Sequence, residues 1–92
     1  MLLTLEEAKN YMRVDFDDDD ALITGMIASA QQFCMDVARV EDADAFAASG
    51  DTARIAVLYA TAYMYEHREN ADHHKLALTI RALLFGMRKE VF

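Results

Sequence analysis

The segment from Ile55 to Tyr65 constrains the fold of this chain more than any other. Nearly every residue in it is apolar or aromatic, so a helix formed here has no polar face. A helix that is hydrophobic all round is buried on most of its sides. We therefore expect it to be the central element. Because three other helices can hardly cover it in a chain of 92 residues, we also expect it to contribute to an interface.

Three further segments show the three–four spacing of apolar residues that is typical of amphipathic helices. The longest begins at about Asp18 or Asp19 and runs to about Ala38; a short one precedes it at about residues 5–12, and the last spans about residues 76–88. Alternation of polar and β-branched residues is absent, which argues against strands. The sequence predicts an all-α fold, a small four-helix domain with a long second helix and a buried apolar third helix, in which residues 1–92 form one domain.

Residues that cap helices mark where these segments begin. Thr4 and Glu7 have the spacing of a capping box for the first helix. The four consecutive carboxylates at residues 17–20 precede the second helix, where they can cap free N–H groups and favour the positive end of the helix dipole. Asp51 or Thr52 is expected to cap the third helix, which would extend to about Glu69.

Between the second and third helices, residues 39–51 read as a loop with room for one helical turn. Gly25 lies inside the long helix, where glycine costs about 1 kcal/mol relative to alanine, and close packing against a neighbour is one reason for it. Cys34, on the apolar side of the same helix, is interpreted as a small core residue. As the only cysteine it excludes an internal disulfide, and a reduced, cytosolic setting is the default expectation.

Charge is distributed unevenly along the chain. Residues 1–51 carry twelve acids and three bases, whereas residues 75–92 carry four bases and one acid. The anionic bulk argues against general nucleic-acid binding. The polarity suits head-to-tail association of copies, and the alternative is a solvated acidic face that gives solubility. No apolar run reaches the length that crosses a bilayer, and no signal peptide follows Met1, so we expect a complete cytoplasmic product.

Candidate chemistry is sparse. Asp15, Asp17 and Asp19 occupy the first, third and fifth places of a calcium-binding EF-hand loop, but the sixth place is an aspartate and the twelfth a methionine. The three histidines, at positions 67, 73 and 74, do not have zinc-site spacing. No serine–histidine–acid set, phosphate-binding glycine loop or cysteine pair is present in the sequence. We predict no catalytic, metal or cofactor site, and a protein that is not an enzyme.

The order of the helical segments resembles a known family, the small head–tail connector (head-completion or adaptor) proteins of tailed bacteriophages. The matching residues are Leu3-Thr4-Leu5-Glu6-Glu7-Ala8-Lys9, Met12-Arg13-Val14-Asp15 and the acidic turn into Ala21-Leu22-Ile23, followed later by Ile55 through Tyr65-Glu66-His67-Arg68-Glu69 and by Ile80-Arg81-Ala82-Leu83-Leu84. The chain departs from the family in lacking a proline before the last of these segments and in its 39–51 loop.

The resemblance implies a structural virion assembly protein without cofactors. It would form a homo-oligomeric ring on the phage portal protein, extend the channel through which DNA passes as cargo, and offer a platform to a head-closure or tail protein. Its location would be the head–tail junction of the virion, and the host cytoplasm during assembly, with no membrane partner. The candidate interface residues are Asp17, Asp18, Asp19, Asp20, Tyr59, Tyr63, Arg81, Arg88, Lys89 and Phe92.

A second hypothesis comes from the acid-rich first half of the chain. A small acidic regulatory module, binding a host protein as a DNA mimic, would also carry many carboxylates. Such a mimic needs carboxylates spaced like phosphates over one face, whereas most of the acids here cluster at helix starts and in loops. The spatial arrangement of these carboxylates therefore distinguishes the two hypotheses.

Overall fold

Five helices make up the part of the chain that the structure, a computed structural model, describes, namely residues 2–48 and 50–85. They are α1 (Leu5–Met12), α2 (Asp20–Ala38), α3 (Ala43–Ala47), α4 (Asp51–Glu66) and α5 (His73–Phe85). No strand occurs in these described ranges, which confirms the all-α prediction. The helix count exceeds the predicted four by the short α3, which lies within the segment predicted as a loop with room for one helical turn.

The first helix forms as its local sequence predicts. The Thr4 hydroxyl accepts a hydrogen bond from the Glu7 N–H, and the Glu7 carboxylate accepts one from the Thr4 N–H, so the capping box is complete. At the other end Arg13 adopts a left-handed conformation, and its N–H bonds back to the last carbonyls of the helix. Both ends of α1 are therefore fixed within a few residues of sequence.

The core lies between α2 and α4, the two longest helices and the most extensively packed pair. α2 contributes a stripe in which Ile23, Ile27, Ala30 and Cys34 are completely buried, which confirms Cys34 as a core residue. The facing side of α4 is small, and its fully buried members are Ala53, Ala56, Val57, Ala60 and Thr61. Small residues let the two helices approach closely, so α4 is the central element, as predicted.

α1 and α5 pack on either side of this pair. Glu7 of α1 makes an ion pair with Arg54 in the first turn of α4, and Tyr11 lines a groove with Tyr59, one turn further along both helices. α1 therefore runs in the same direction as α4. α5 returns antiparallel after a short connection and buries Leu76, Ile80 and Leu84 against α2 and α4.

Several local predictions are wrong, each for a physical reason. Asp19, the N-cap residue of α2, makes no side-chain capping bond, because its carboxylate is used elsewhere. α4 is preceded by Gly50 at φ 70°, a left-handed conformation that glycine adopts readily, so neither Asp51 nor Thr52 is its cap. A Cβ on Gly25 would meet no atom within 4 Å, so close packing within the subunit does not explain that glycine.

The remaining differences concern helix ends. α4 stops at Glu66, three residues before the predicted end, and α5 begins at His73, three residues before the predicted start. The predicted end of the last helix, at residues 86–88, lies outside the described residues. Among the helices that the structure describes, none is long and apolar enough to span a bilayer.

Candidate interaction surfaces

The acidic turn before α2 is held by a lysine. Lys9 Nζ lies 3.0 Å from Asp17 Oδ1 and 2.7 Å from Asp20 Oδ1. The ammonium group of this α1 residue therefore bridges two carboxylates of the acidic turn. The hydrogen bond to Asp20, and next the one to Asp17, raises the pKa of Lys9. The Asp17 side chain is 89% exposed and that of Lys9 only 13%, so the lysine is the sheltered member of this pair. The contact ties the turn to α1.

Asp19 is held from the opposite side. The Tyr65 hydroxyl, at the end of α4, donates a 2.5 Å hydrogen bond to Asp19 Oδ2. This bond raises the pKa of Tyr65, because the neighbouring carboxylate opposes loss of the phenolic proton. Three of the four predicted acidic interface residues, Asp17, Asp19 and Asp20, thus fix the turn between α1 and α4, and Asp18 is exposed beside them.

These contacts bear on the DNA-mimic hypothesis. A mimic presents its carboxylates outward in a regular row, but the acids of this turn converge on Lys9 and Tyr65 within the subunit. Three of the four carboxylates of this turn therefore make contacts that hold the subunit together. Asp17 and Asp18 remain able to meet a partner.

Tyr59 and Tyr63 lie together in a groove, and a third tyrosine joins them. The groove has a volume of about 320 Å³ and lies between α1, α4 and α5. Its lining residues are Tyr11, Tyr59, Ala62, Tyr63, Glu66, His67 and Lys75. Tyr11 is 55% exposed and Tyr59 36%. Ile55, one turn before Tyr59, is 52% exposed and extends the same side of α4. Apolar side chains at this exposure suit a contact with another molecule.

Tyr63 also has a structural role. Its ring stacks on His67 with centroids 4.2 Å apart, and its hydroxyl accepts a 3.1 Å hydrogen bond from the Asp72 N–H. Both contacts hold the connection between α4 and α5. Tyr63 therefore shapes the floor of the groove, whereas Tyr11 and Tyr59 offer their rings to solvent.

Of the basic residues predicted to lie at an interface, the structure describes only Arg81. Arg81 is exposed on α5. Arg88, Lys89 and Phe92 lie outside the described residues. Sequence reasoning missed Tyr11 and Ile55, although a signal existed, since each is a large apolar residue outside the buried stripe of its helix.

A second groove lies beside α2 and the connection between α4 and α5. This groove, of about 450 Å³, has mainly apolar walls, and its lining residues are Leu22, Met26, Ser29, Met64, His67, Arg68, Ala71 and His73. Burial raises the pKa of the Cys34 thiol to about 12, so the thiolate is scarce at neutral pH. Within residues 2–48 and 50–85, no group of three or more histidine, cysteine, aspartate or glutamate side chains is placed to hold a metal ion.

A comparison with protein families decides where this helical subunit belongs. The profile described as Phage gp6-like head-tail connector protein matches residues 2–91, nearly the whole chain. The chain belongs to this family. Head–tail connectors are structural components of the phage virion, so the family supports a structural role in virion assembly and a place in the virion. No curated protein and no solved structure matches this connector.

Proposed function

We propose that this connector is the subunit of a homo-oligomeric ring that docks on the portal protein, extends the DNA channel and receives a head-closure or tail protein. The observation that carries the proposal is the family match over residues 2–91. The candidate interaction surfaces support it, because the exposed rings of Tyr11 and Tyr59 lie at one groove and Ile55, one turn before Tyr59, is also exposed.

Charge supports the same proposal. An acidic wall makes few phosphate contacts, so DNA would pass through such a ring without being retained. The proposal assigns the protein no chemical step: it acts by shape and by contacts with neighbours. Copies of a subunit that meet through two different surfaces close into a ring when the rotation between them closes.

Native mass spectrometry of the purified protein over a concentration series, with and without portal protein, tests the proposal. The expected result is one closed ring of fixed copy number, formed by the protein alone or on the portal. A protein that stays monomeric at every concentration and ignores the portal would contradict it. In that case, capture of a basic host protein would favour the acidic regulatory module.

A further inference from the structure

The segment between α2 and α4 is held to the rest of the subunit by a single side chain. Residues 41–48, here called the strap, include α3, and all of them are exposed except Phe46, which is 1% exposed. Val40, just before the strap, still belongs to α2, because its N–H bonds to the Met35 carbonyl and its side chain packs against the core. The strap therefore has one buried anchor, near its downstream end.

The hydrogen bonds of the strap are local. The Asp42 carboxylate accepts a hydrogen bond from the Asp44 N–H, and the Asp42 carbonyl accepts one from the Phe46 N–H. The Gly50 N–H bonds to the Ala47 carbonyl. Within residues 2–48 and 50–85, no hydrogen bond or ion pair joins the strap to α1, α2 or α5. The strap can therefore move away from these helices without breaking a polar contact to them.

The packing beside the anchor is loose, and a glycine lies where the strap meets α4. A space of about 200 Å³ separates α3 from α2 and from the start of the chain, and its lining residues are Leu2, Gln31, Ala43, Asp44 and Ala47. Gly50 has φ 70° and precedes α4 directly. Glycine changes its backbone conformation with little steric cost, so Gly50 is suited to act as a hinge.

α1, the other short helix, is held in a different way. It buries Ala8 completely, and the segment before it buries Leu3. Glu7 makes an ion pair with Arg54, and Lys9 bridges two carboxylates of the acidic turn. Release of α1 would break all of these contacts together, whereas release of the strap requires only that the ring of Phe46 leave the core.

We infer that the strap opens as a unit, with Phe46 leaving its socket and the backbone turning at Gly50, while α1, α2, α4 and α5 stay folded. The burial of one aromatic side chain sets the cost of this opening, whereas global unfolding exposes the whole core. The open subunit presents a bulky aromatic side chain and an apolar socket, which are the two parts of an anchor contact between proteins. The movement takes place within one subunit, so it does not depend on the proposed ring.

Limited proteolysis with thermolysin tests the movement, at a protein concentration where the chain is monomeric. This protease cleaves before large apolar side chains, so a cut before Phe46 requires that its ring be out of the core. We expect the first cut between Ala45 and Phe46, identified by the masses of the two fragments, at a rate that stays constant in low urea. Urea favours unfolding in proportion to the surface exposed, so a local opening responds to it only weakly.

Two conservative substitutions separate local opening from global unfolding. Phe46→Leu keeps a side chain that the protease accepts but fills the socket less well, so the cut before residue 46 should become about tenfold faster. Ile23→Val removes a methylene from a completely buried residue near the start of α2, whereas the strap follows the end of α2. It should raise the globally unfolded population about fivefold and leave the rate of this cut unchanged. Peptides spanning residues 41–51 of each sequence correct the rates for the preference of the protease.

The two variants distinguish the routes by which the chain can be cut. Faster cleavage of Phe46→Leu, together with an unchanged rate in Ile23→Val, is the result that local opening predicts. If both substitutions speed the cut equally, or if its rate rises steeply with urea, the route is global unfolding and the inference is wrong. An unchanged rate in Phe46→Leu, or a first cut outside the strap, would also overturn it. None of these results bears on whether the wild-type protein forms a ring.

Discussion

Replacing Gly25 by alanine should stabilise the isolated subunit. Gly25 is exposed in the interior of α2, and an added Cβ would meet no atom within 4 Å, so the substitution introduces no clash. The gain is the helix-propensity difference between the two residues, about 0.5–1 kcal/mol, much of it from lower conformational entropy of the unfolded chain. For a domain of this size that corresponds to a rise in Tm of about 2–8 °C.

Thermal unfolding followed by far-ultraviolet circular dichroism, at a protein concentration where the chain is monomeric, measures this gain. Ala28→Gly is the matched control, because Ala28 is exposed on the same stripe of α2 and should lose about what Gly25→Ala gains. A Gly25→Ala variant that is less stable than wild type would refute the reasoning, since it would mean that the subunit itself requires glycine at this position.

Three further predictions concern the core and its charges. Phe46→Ala should lower the free energy of unfolding, measured in urea, by about 3 kcal/mol, because the ring is 1% exposed, holds α3 to the core and would be replaced by a cavity. A loss within experimental error would contradict that role of the ring. The hydrogen bond from the Thr4 N–H, and then the Arg54 guanidinium, holds the pKa of Glu7 below its usual value, so its contribution to stability is complete above that value and declines as pH falls below about 4. Glu7→Gln should flatten this acid limb of the stability profile, and an unchanged limb would exclude the mechanism. With its pKa raised to about 12, the Cys34 thiol should resist a thiol reagent at pH about 8 in the native protein and react fully in denaturant, and rapid native reaction would show that it is accessible.

The helices that could be predicted from sequence are those whose signals are local. α1 begins where Thr4 and Glu7 form a capping box, and both residues act within one turn. The end of α2 at Ala38 follows from the end of its apolar stripe. These elements depend on residues close together in the chain, which is why sequence reasoning placed them well.

Other features depend on contacts between distant parts of the chain. Asp19 does not cap α2 because Tyr65, 46 residues away, takes its carboxylate. α3 has only five residues, too few to show a helical period, and one buried side chain, Phe46, holds it to the core. The start of α4 follows a backbone turn at Gly50 and has no capping side chain. None of these could be read from spacing alone.

The candidate surfaces divide in the same way. Tyr59 could be selected from sequence because the helix around it has no polar side. Tyr11 is recognisable from sequence as a large apolar residue outside the buried stripe of α1, but its proximity to Tyr59 is not, because the two meet only when α1 packs parallel to α4, beside the pair of Glu7 and Arg54. The acidic turn stays a candidate surface, because Lys9 pairs with Asp17 and Asp20 while the Asp17 side chain is 89% exposed.

The acidic turn joins two helices of the subunit. Because Lys9 ties it to α1 and Tyr65 ties it to α4, the turn holds together the helices that carry Tyr11 and Tyr59. The turn thus links α1 to α4, while Asp17 and Asp18 remain exposed.

Cryo-electron microscopy of the protein bound to purified portal tests the central claim most directly. The account predicts a closed ring of this chain seated on the portal around the channel. Portal particles without a ring of this protein, after incubation at saturating concentration, would contradict the claim that it is a ring-forming connector.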